Sequence, residues 1–171
     1  MQSTIELFEN SLGWLRDNYA HYRFSVERYV VWTIRTYIQQ QITRQELPYQ
    51  VFNDYPVLPG LHRSLSADLV ILGPDSVIEL AAEFKYEPSH DRKDIQKQKL
   101  PVVFWGKEGV GEDIRRIHEF AEKGLVKAAY SIFIDEGGYF RNRVPHPQSA
   151  WMEWGGGTAV LQAKTGMAAT D

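Results

Sequence analysis

Asp68, Glu83 and Lys85 are the residues whose types and spacing could do chemistry together. They lie in SADLVILGPDSVIELAAEFKYEP, where two apolar runs, Ala67 to Leu72 and Val77 to Tyr86, flank the turn formers Gly73, Pro74, Asp75 and Ser76. This pattern predicts a β-hairpin. With residues 73 to 76 as the turn, Leu72 pairs with Val77, Val70 with Glu79 and Asp68 with Ala81. Side chains alternate with a period of two, so Asp68 shares a face with Ala81, Glu83 and Lys85, and Asp68 and Glu83 are diagonal neighbours. Two carboxylates so placed can hold a hard divalent cation, with Mg²⁺ preferred by oxygen ligands. Phosphodiester hydrolysis asks for such a pair. Water must approach an anionic phosphorus centre, and a bound cation polarises a phosphate oxygen and stabilises the leaving oxygen. Lys85 can orient that water or neutralise developing charge, and the Phe84 carbonyl is a natural further ligand. The competing reading is that an acid and a lysine near strand ends face solvent. Ala81, Ala82 and Phe84 surround the charges, however, and charges embedded in such a strand need partners or a metal.

The elements that must position these residues are legible from periodicity. Thr4 to Asn18 carries Ile5, Leu7, Phe8, Leu12, Trp14 and Leu15 at spacings of an amphipathic helix. Phe24 to Gln41 predicts a second, with Ser25 as cap and Val26, Val30, Ile34 and Ile38 every four residues. Tyr49 to Val57 reads as a strand interrupted by a turn, and Pro56, Pro59 and Gly60 mark a loop before the hairpin. The charged segment Ser89 to Lys99 is predicted helical; Pro101 to Trp105 is left open between a strand and a helix end. Glu112 to Lys123 predicts a helix with the stripe Ile114, Ile117, Phe120 and Ala121 and Gly124 as C-cap. Leu125 to Asp135 and Thr158 to Lys164 read as strands, with Trp151, Trp154 and glycines 155 to 157 between them. The order points to a mixed α/β layer fold.

The length of 171 residues suits one domain. The chain has no cysteine, which excludes disulfides, thiolate metal sites and cysteine nucleophiles and is compatible with a reducing compartment. No stretch approaches the ~20 apolar residues of a membrane helix, and the N-terminus carries acids where a secretory signal carries bases. A cytoplasmic location is expected. A net charge of -3 argues against a broad nucleic-acid coat but leaves room for a local basic groove.

The hairpin resembles the core of the PD-(D/E)XK nuclease superfamily, the group built on the restriction-endonuclease fold. In that pattern an acid at a strand start is followed across a hairpin by Glu or Asp, any residue, and Lys. Asp68, Glu83 and Lys85 match those positions, with Phe84 between the last two; Ala67 stands where the family name has proline. Pro74 and Asp75 belong to the turn. The resemblance covers roughly residues 24 to 135 and leaves 136 to 171 as a C-terminal extension. It implies a central mixed sheet flanked by helices on both sides, and in-line hydrolysis of DNA that leaves a 5′-phosphate. Asp68 and Glu83 would bind Mg²⁺, with Mn²⁺ as a substitute, and Lys85 would act on the water. Members often add a glutamate from the helix before the sheet; Glu27 matches that position, and a first-turn glutamate favoured by the helix dipole is the equal alternative. Small nucleases often dimerise so that two sites reach two strands, making a homodimer a further expectation.

Candidate phosphate contacts are Arg63, Arg92, Lys97, Arg141 and Arg143. A solvated helix face is the rival reading for Arg92 and Lys97, since Asp91 and Asp94 dilute that run. Trp151 and Trp154 are read either as base-stacking residues or as core and interface aromatics. WGKEGVGED lacks the order of a phosphate-binding loop, and histidines 21, 62, 90, 118 and 146 lack zinc-ligand spacing.

Overall fold

The computed structural model describes residues 1–58, 65–95 and 99–166. Helix α1 spans Thr4–Asn18. Ser3 caps it reciprocally with Glu6: the Glu6 amide donates to Ser3 Oγ at 3.2 Å and the Ser3 amide donates to the Glu6 carboxylate at 2.8 Å. Helix α2 spans Glu27–Arg44, three residues later at both ends than its periodicity predicts, and Val26 rather than Ser25 is the N-cap. The reason lies at Phe24, whose carbonyl accepts from Tyr86 Oη at 3.0 Å and from the Arg92 guanidinium, and so takes tertiary partners rather than opening a helix.

Among the described residues six strands follow: β1 Gln50–Leu58, β2 Leu65–Leu72, β3 Ile78–Glu87, β4 Ala128–Asp135, β5 Ser149–Gly155 and β6 Thr158–Thr165. They form one mixed sheet in the order β1-β2-β3-β4-β6-β5. Only β3 and β4 run parallel, and helix α3, Val110–Glu122, lies in the crossover that such a pair requires. Strand β5, unassigned in sequence, is an edge strand joined to β6 through Gly155, Gly156 and Gly157, all at positive φ. Residues 136 to 166 therefore complete the sheet, with β6 beside β4.

Leu7, Phe8 and Leu15 of α1 and Val30, Ile34 and Ile38 of α2 pack with Leu69, Phe84 and Ile132 on one face. On the other, Ile114, Ile117 and Phe120 of α3 pack with Val70, Ala81 and Phe133. Helices on both sides are thus present in part, since among the described residues α3 alone serves the second face and Val103, Trp105 and Phe140 from irregular segments extend its cover. Residues 89 to 95 are turns and bends and not the start of a helix. Ser89 N–H is taken by Glu136 and Arg92 is tied to Glu136 and Asp94, so the segment is pinned by side chains rather than by a helical ladder. Pro101 to Trp105 is irregular, and its start is held by Glu87, whose carboxylate accepts the amides of Val102 and Val103, both at 2.8 Å.

The hairpin register differs from its sequence expectation by two residues. Leu72 pairs with Ile78, and after a bulge Ile71 pairs with Leu80, Val70 with Ala81 and Leu69 with Ala82. The turn is one residue longer than expected, closed by Gly73 N–H to Val77 O at 2.9 Å, and the bulge absorbs Glu79. Because the shift is even, Asp68, Glu83 and Lys85 keep their common face. It also brings Asp68 level with Glu83 instead of Ala81.

Candidate active site

The β2 to β3 ladder ends at Leu69 and Ala82. Beyond it β2 stays with β1 through Ala67, Ser66 and Leu65, while β3 stays with β4 as far as Glu87 opposite Asp135. The sheet forks here. At the fork the Asp68 carboxylate takes the place of a strand partner: Phe84 N–H donates to Asp68 Oδ2 at 2.7 Å. Glu83 and Lys85 project from β3 toward α3. Glu83, 2% exposed, has Oε1 at 3.0 Å from Arg116 Nη2, and the same guanidinium nitrogen donates to Ser66 O at 2.6 Å. Lys85 Nζ is 3.0 Å from Asp113 Oδ2 and 3.8 Å from Glu27 Oε2, and it donates to Phe84 O at 3.2 Å.

The structure thus brings together Asp68, Glu83, Lys85 and Glu27 and adds Asp113 and Arg116, which sequence reasoning missed. The signal for Asp113 was present. Val110, Asp113, Ile114, Ile117 and Phe120 form one buried stripe, so an acid occupies a core-facing helical position. Arg116 follows at three residues' distance, one turn along.

Electrostatics at the fork are unbalanced. Four carboxylates meet two bases, and each acid is harder to ionise than in water. Burial, then the neighbouring Asp68 charge, push Glu83 up to about 9. Burial raises Glu27 to about 7 against the pull of Lys85, and Asp113 to about 6 against the same ammonium group. Asp68 is raised by burial, opposed by the Phe84 N–H bond. Burial works against the Lys85 charge, but Asp113 and Glu27 outweigh it and hold its ammonium group above the usual range.

A divalent cation offsets such an excess, and the all-oxygen donor set suits Mg²⁺. Glu83 Oε1 and Asp113 Oδ2 are buried in ion-pair contact without hydrogen-bond alignment, leaving lone pairs for a ligand. Among the described residues no three His, Asp or Glu side chains are grouped to hold a metal ion. The fit therefore rests on Asp68 and Glu83, and Mg²⁺ is commonly held by one or two carboxylates with water and phosphate completing its shell.

Two cavities adjoin the cluster. One of about 190 Å³ is lined by Glu27, Arg28, Trp32, Asp54 and Asp68; one of about 350 Å³ by Glu27, Lys85, Val102 and Phe104. A larger cleft of about 820 Å³, beside Tyr19, Arg92, Glu136 and Trp154, shares no lining residue with the cluster. Its size is not matched by comparable chemistry, since its cations Arg16, Arg23 and Arg92 are paired with Asp17, Asp94 and Glu136.

The sequence-predicted phosphate contacts fare differently. Arg63 and Lys97 lie outside the described residues. Arg92 is largely buried and bound to Glu136, Asp94 and Tyr86 Oη. Arg141 pairs with Glu153 at 2.8 Å, and Arg143 lies over the Trp105 and Phe140 rings. Trp151 stacks on Trp105 and Trp154 meets Tyr19 edge-on, so both serve packing. Among the described residues no helix is long and apolar enough to cross a membrane. Comparisons with protein-family models, with curated proteins and with solved structures find no match for this chain.

Proposed function

We propose that the chain is a Mg²⁺-dependent nuclease of the restriction-endonuclease-like PD-(D/E)XK type, acting on phosphodiester bonds of DNA. The observation that carries this reading is the meeting of Asp68 and Glu83 at the sheet fork, with Lys85 one pleat further along the same face. The antiparallel β2/β3 hairpin followed by a parallel β4 reached through α3 is consistent with that fold.

Asp68 and Glu83 would hold the cation, and Glu27, which lines one cavity with Asp68, would join them. When bound, Mg²⁺, or Mn²⁺ in its place, supplies polarisation of a phosphate oxygen and a more acidic attacking water. The protein's own share is preorganisation. Phe84 N–H fixes the Asp68 carboxylate, and Asp113 aims the Lys85 ammonium toward Glu27, where it can donate to a water or a phosphate oxygen during in-line attack.

Cleavage of supercoiled plasmid and of a labelled oligonucleotide tests the reading. Wild type cuts both with Mg²⁺ or Mn²⁺ and neither with EDTA, and E83Q cuts neither while keeping its circular-dichroism spectrum and cooperative melt. Full activity in folded E83Q would sink the assignment. A second reading, a non-catalytic binding or assembly module on the same scaffold, draws on the neutralisation of Lys85 by Asp113 and of Glu83 by Arg116. It predicts no cleavage and no metal-dependent rise in melting temperature.

A further inference from the structure

Helix α2 enters the candidate site at Glu27 and leaves it along a face the fold does not cover. Tyr29 is 51% exposed and Trp32 is 55% exposed, large aromatic surfaces for a helix whose other stripe, Val30, Ile34 and Ile38, is buried. Between this face and α1 runs a groove of about 370 Å³ whose walls include Trp14, Tyr29, Trp32 and Tyr37, and whose lining holds no charged residue. Trp14 and Tyr37 are stacked with ring centroids 4.2 Å apart, giving the groove a rigid floor. Trp32 also lines the 190 Å³ cavity that contains Glu27 and Asp68, so groove and site meet at one side chain.

A second feature is independent of the aromatics. Arg28 and Arg35 stand four and three residues either side of Trp32, at spacings that place them along its edge of the helix. Among the described residues neither forms an ion pair, and nor do Arg44 and Arg143, whereas Arg16, Arg23, Arg92, Arg115, Arg116 and Arg141 all do. A row of unpaired cations beside a row of open ring faces is complementary to a strand of phosphates and unpaired bases. A duplex does not match it, because stacked base pairs hide the base faces that Tyr29 and Trp32 would meet.

We infer that the α1/α2 groove binds single-stranded nucleic acid, with bases stacked on Tyr29 and Trp32, phosphates on Arg28 and Arg35, and the strand running to the Asp68 and Glu83 fork. This rests on the nuclease reading only for what happens to the strand at the fork; binding stands apart from it.

Fluorescence anisotropy with a labelled oligothymidylate of about 15 nucleotides, in EDTA, tests the groove without cleavage. Wild type binds it at least about tenfold more tightly than a duplex of equal length, and the exposed tryptophan fluorescence is quenched. W32A weakens binding by about 5- to 150-fold, as loss of one stacked base predicts, while W32F retains most of it. The R28Q/R35Q pair lowers the salt slope of log K by about 1.4. All variants must melt cooperatively within a few degrees of wild type, as expected for the exposed Arg28 and Trp32 and the half-buried Arg35, which forms no ion pair with a described residue. Unchanged affinity in W32A, equal binding of duplex, or Trp32-dependent self-association in sedimentation without oligonucleotide binding overturns the inference. Tight strand binding without Mg²⁺-dependent cleavage would instead uphold the groove and remove the nuclease reading.

Discussion

On α3, Arg115 lies between Glu112 at 2.6 Å and Glu119 at 2.8 Å and Arg116 reaches Glu83, whereas on α2 Arg28 and Arg35 ion-pair with no described residue. Both helices touch the same fork, α3 through Asp113 and Arg116 and α2 through Glu27. The difference teaches where the molecule spends charge on its own structure and where it leaves charge for a ligand. Arg116 sits over a 2%-exposed carboxylate, and a buried polar partner that is removed leaves a desolvated group behind. Arg28 is exposed and forms no ion pair with a described residue, so its removal disturbs little in the free protein.

Urea unfolding gives the widest contrast. R116A is expected to lose about 2 kcal/mol, the scale of a hydrogen bond to a charged group; the loss is moderated because Glu83, pushed up to about 9, can keep its proton at neutral pH. A loss below about 0.5 kcal/mol would show Arg116 to be dispensable packing and erase the distinction from α2.

The pH dependence of stability isolates the acids that α3 covers. Glu83 is raised to about 9 from 4.5, so the folded state holds a proton that the unfolded state releases. Its contribution is complete below about 4.5 and is lost as pH rises through 9. Glu27, raised to about 7, and Asp113, raised to about 6, act in the same direction over lower windows. In EDTA the melting temperature should fall between pH 6 and 9, and E83Q should flatten that fall. An equal slope in E83Q would mean that Glu83 does not carry it.

Mg²⁺ acts against the same trend. A cation held by Asp68 and Glu83 must displace protons, so it should raise the melting temperature more at pH 9 than at pH 6. Calorimetric scans at both pH values measure this, and a shift independent of pH would point to non-specific binding. The smallest effect is expected on α2, where R28A and R35A each change unfolding free energy by less than about 0.5 kcal/mol. A larger loss would make those arginines structural and narrow the contrast between the helices.

Much of the scaffold was written in local periodicity. The α1 limits follow from the Ser3 and Glu6 capping pair and the Leu7, Phe8, Leu12 and Leu15 stripe, all within a few turns of one another. The shared face of Asp68, Glu83 and Lys85 was legible because period-two alternation survives any even shift of register. Asp113 was legible in principle as an acid in an apolar stripe. Strand β5 was not, because Trp151 and Trp154 alternate with exposed residues on an edge strand and give no strong apolar run. The partners of Arg92 were not legible for a related reason: Glu136 and the Phe24 carbonyl, to which it donates, lie 44 and 68 residues away.

By itself, then, the chain determined its helices, its hairpin and the common face of three charged residues, because these depend on contacts between near neighbours. Only the tertiary structure decided the bulge that sets Asp68 level with Glu83, the parallel β3/β4 pairing that carries α3 over the fork, and the exposure of Tyr29 and Trp32. Those features arise from packing between segments far apart in sequence, where no local pattern records which partner arrives.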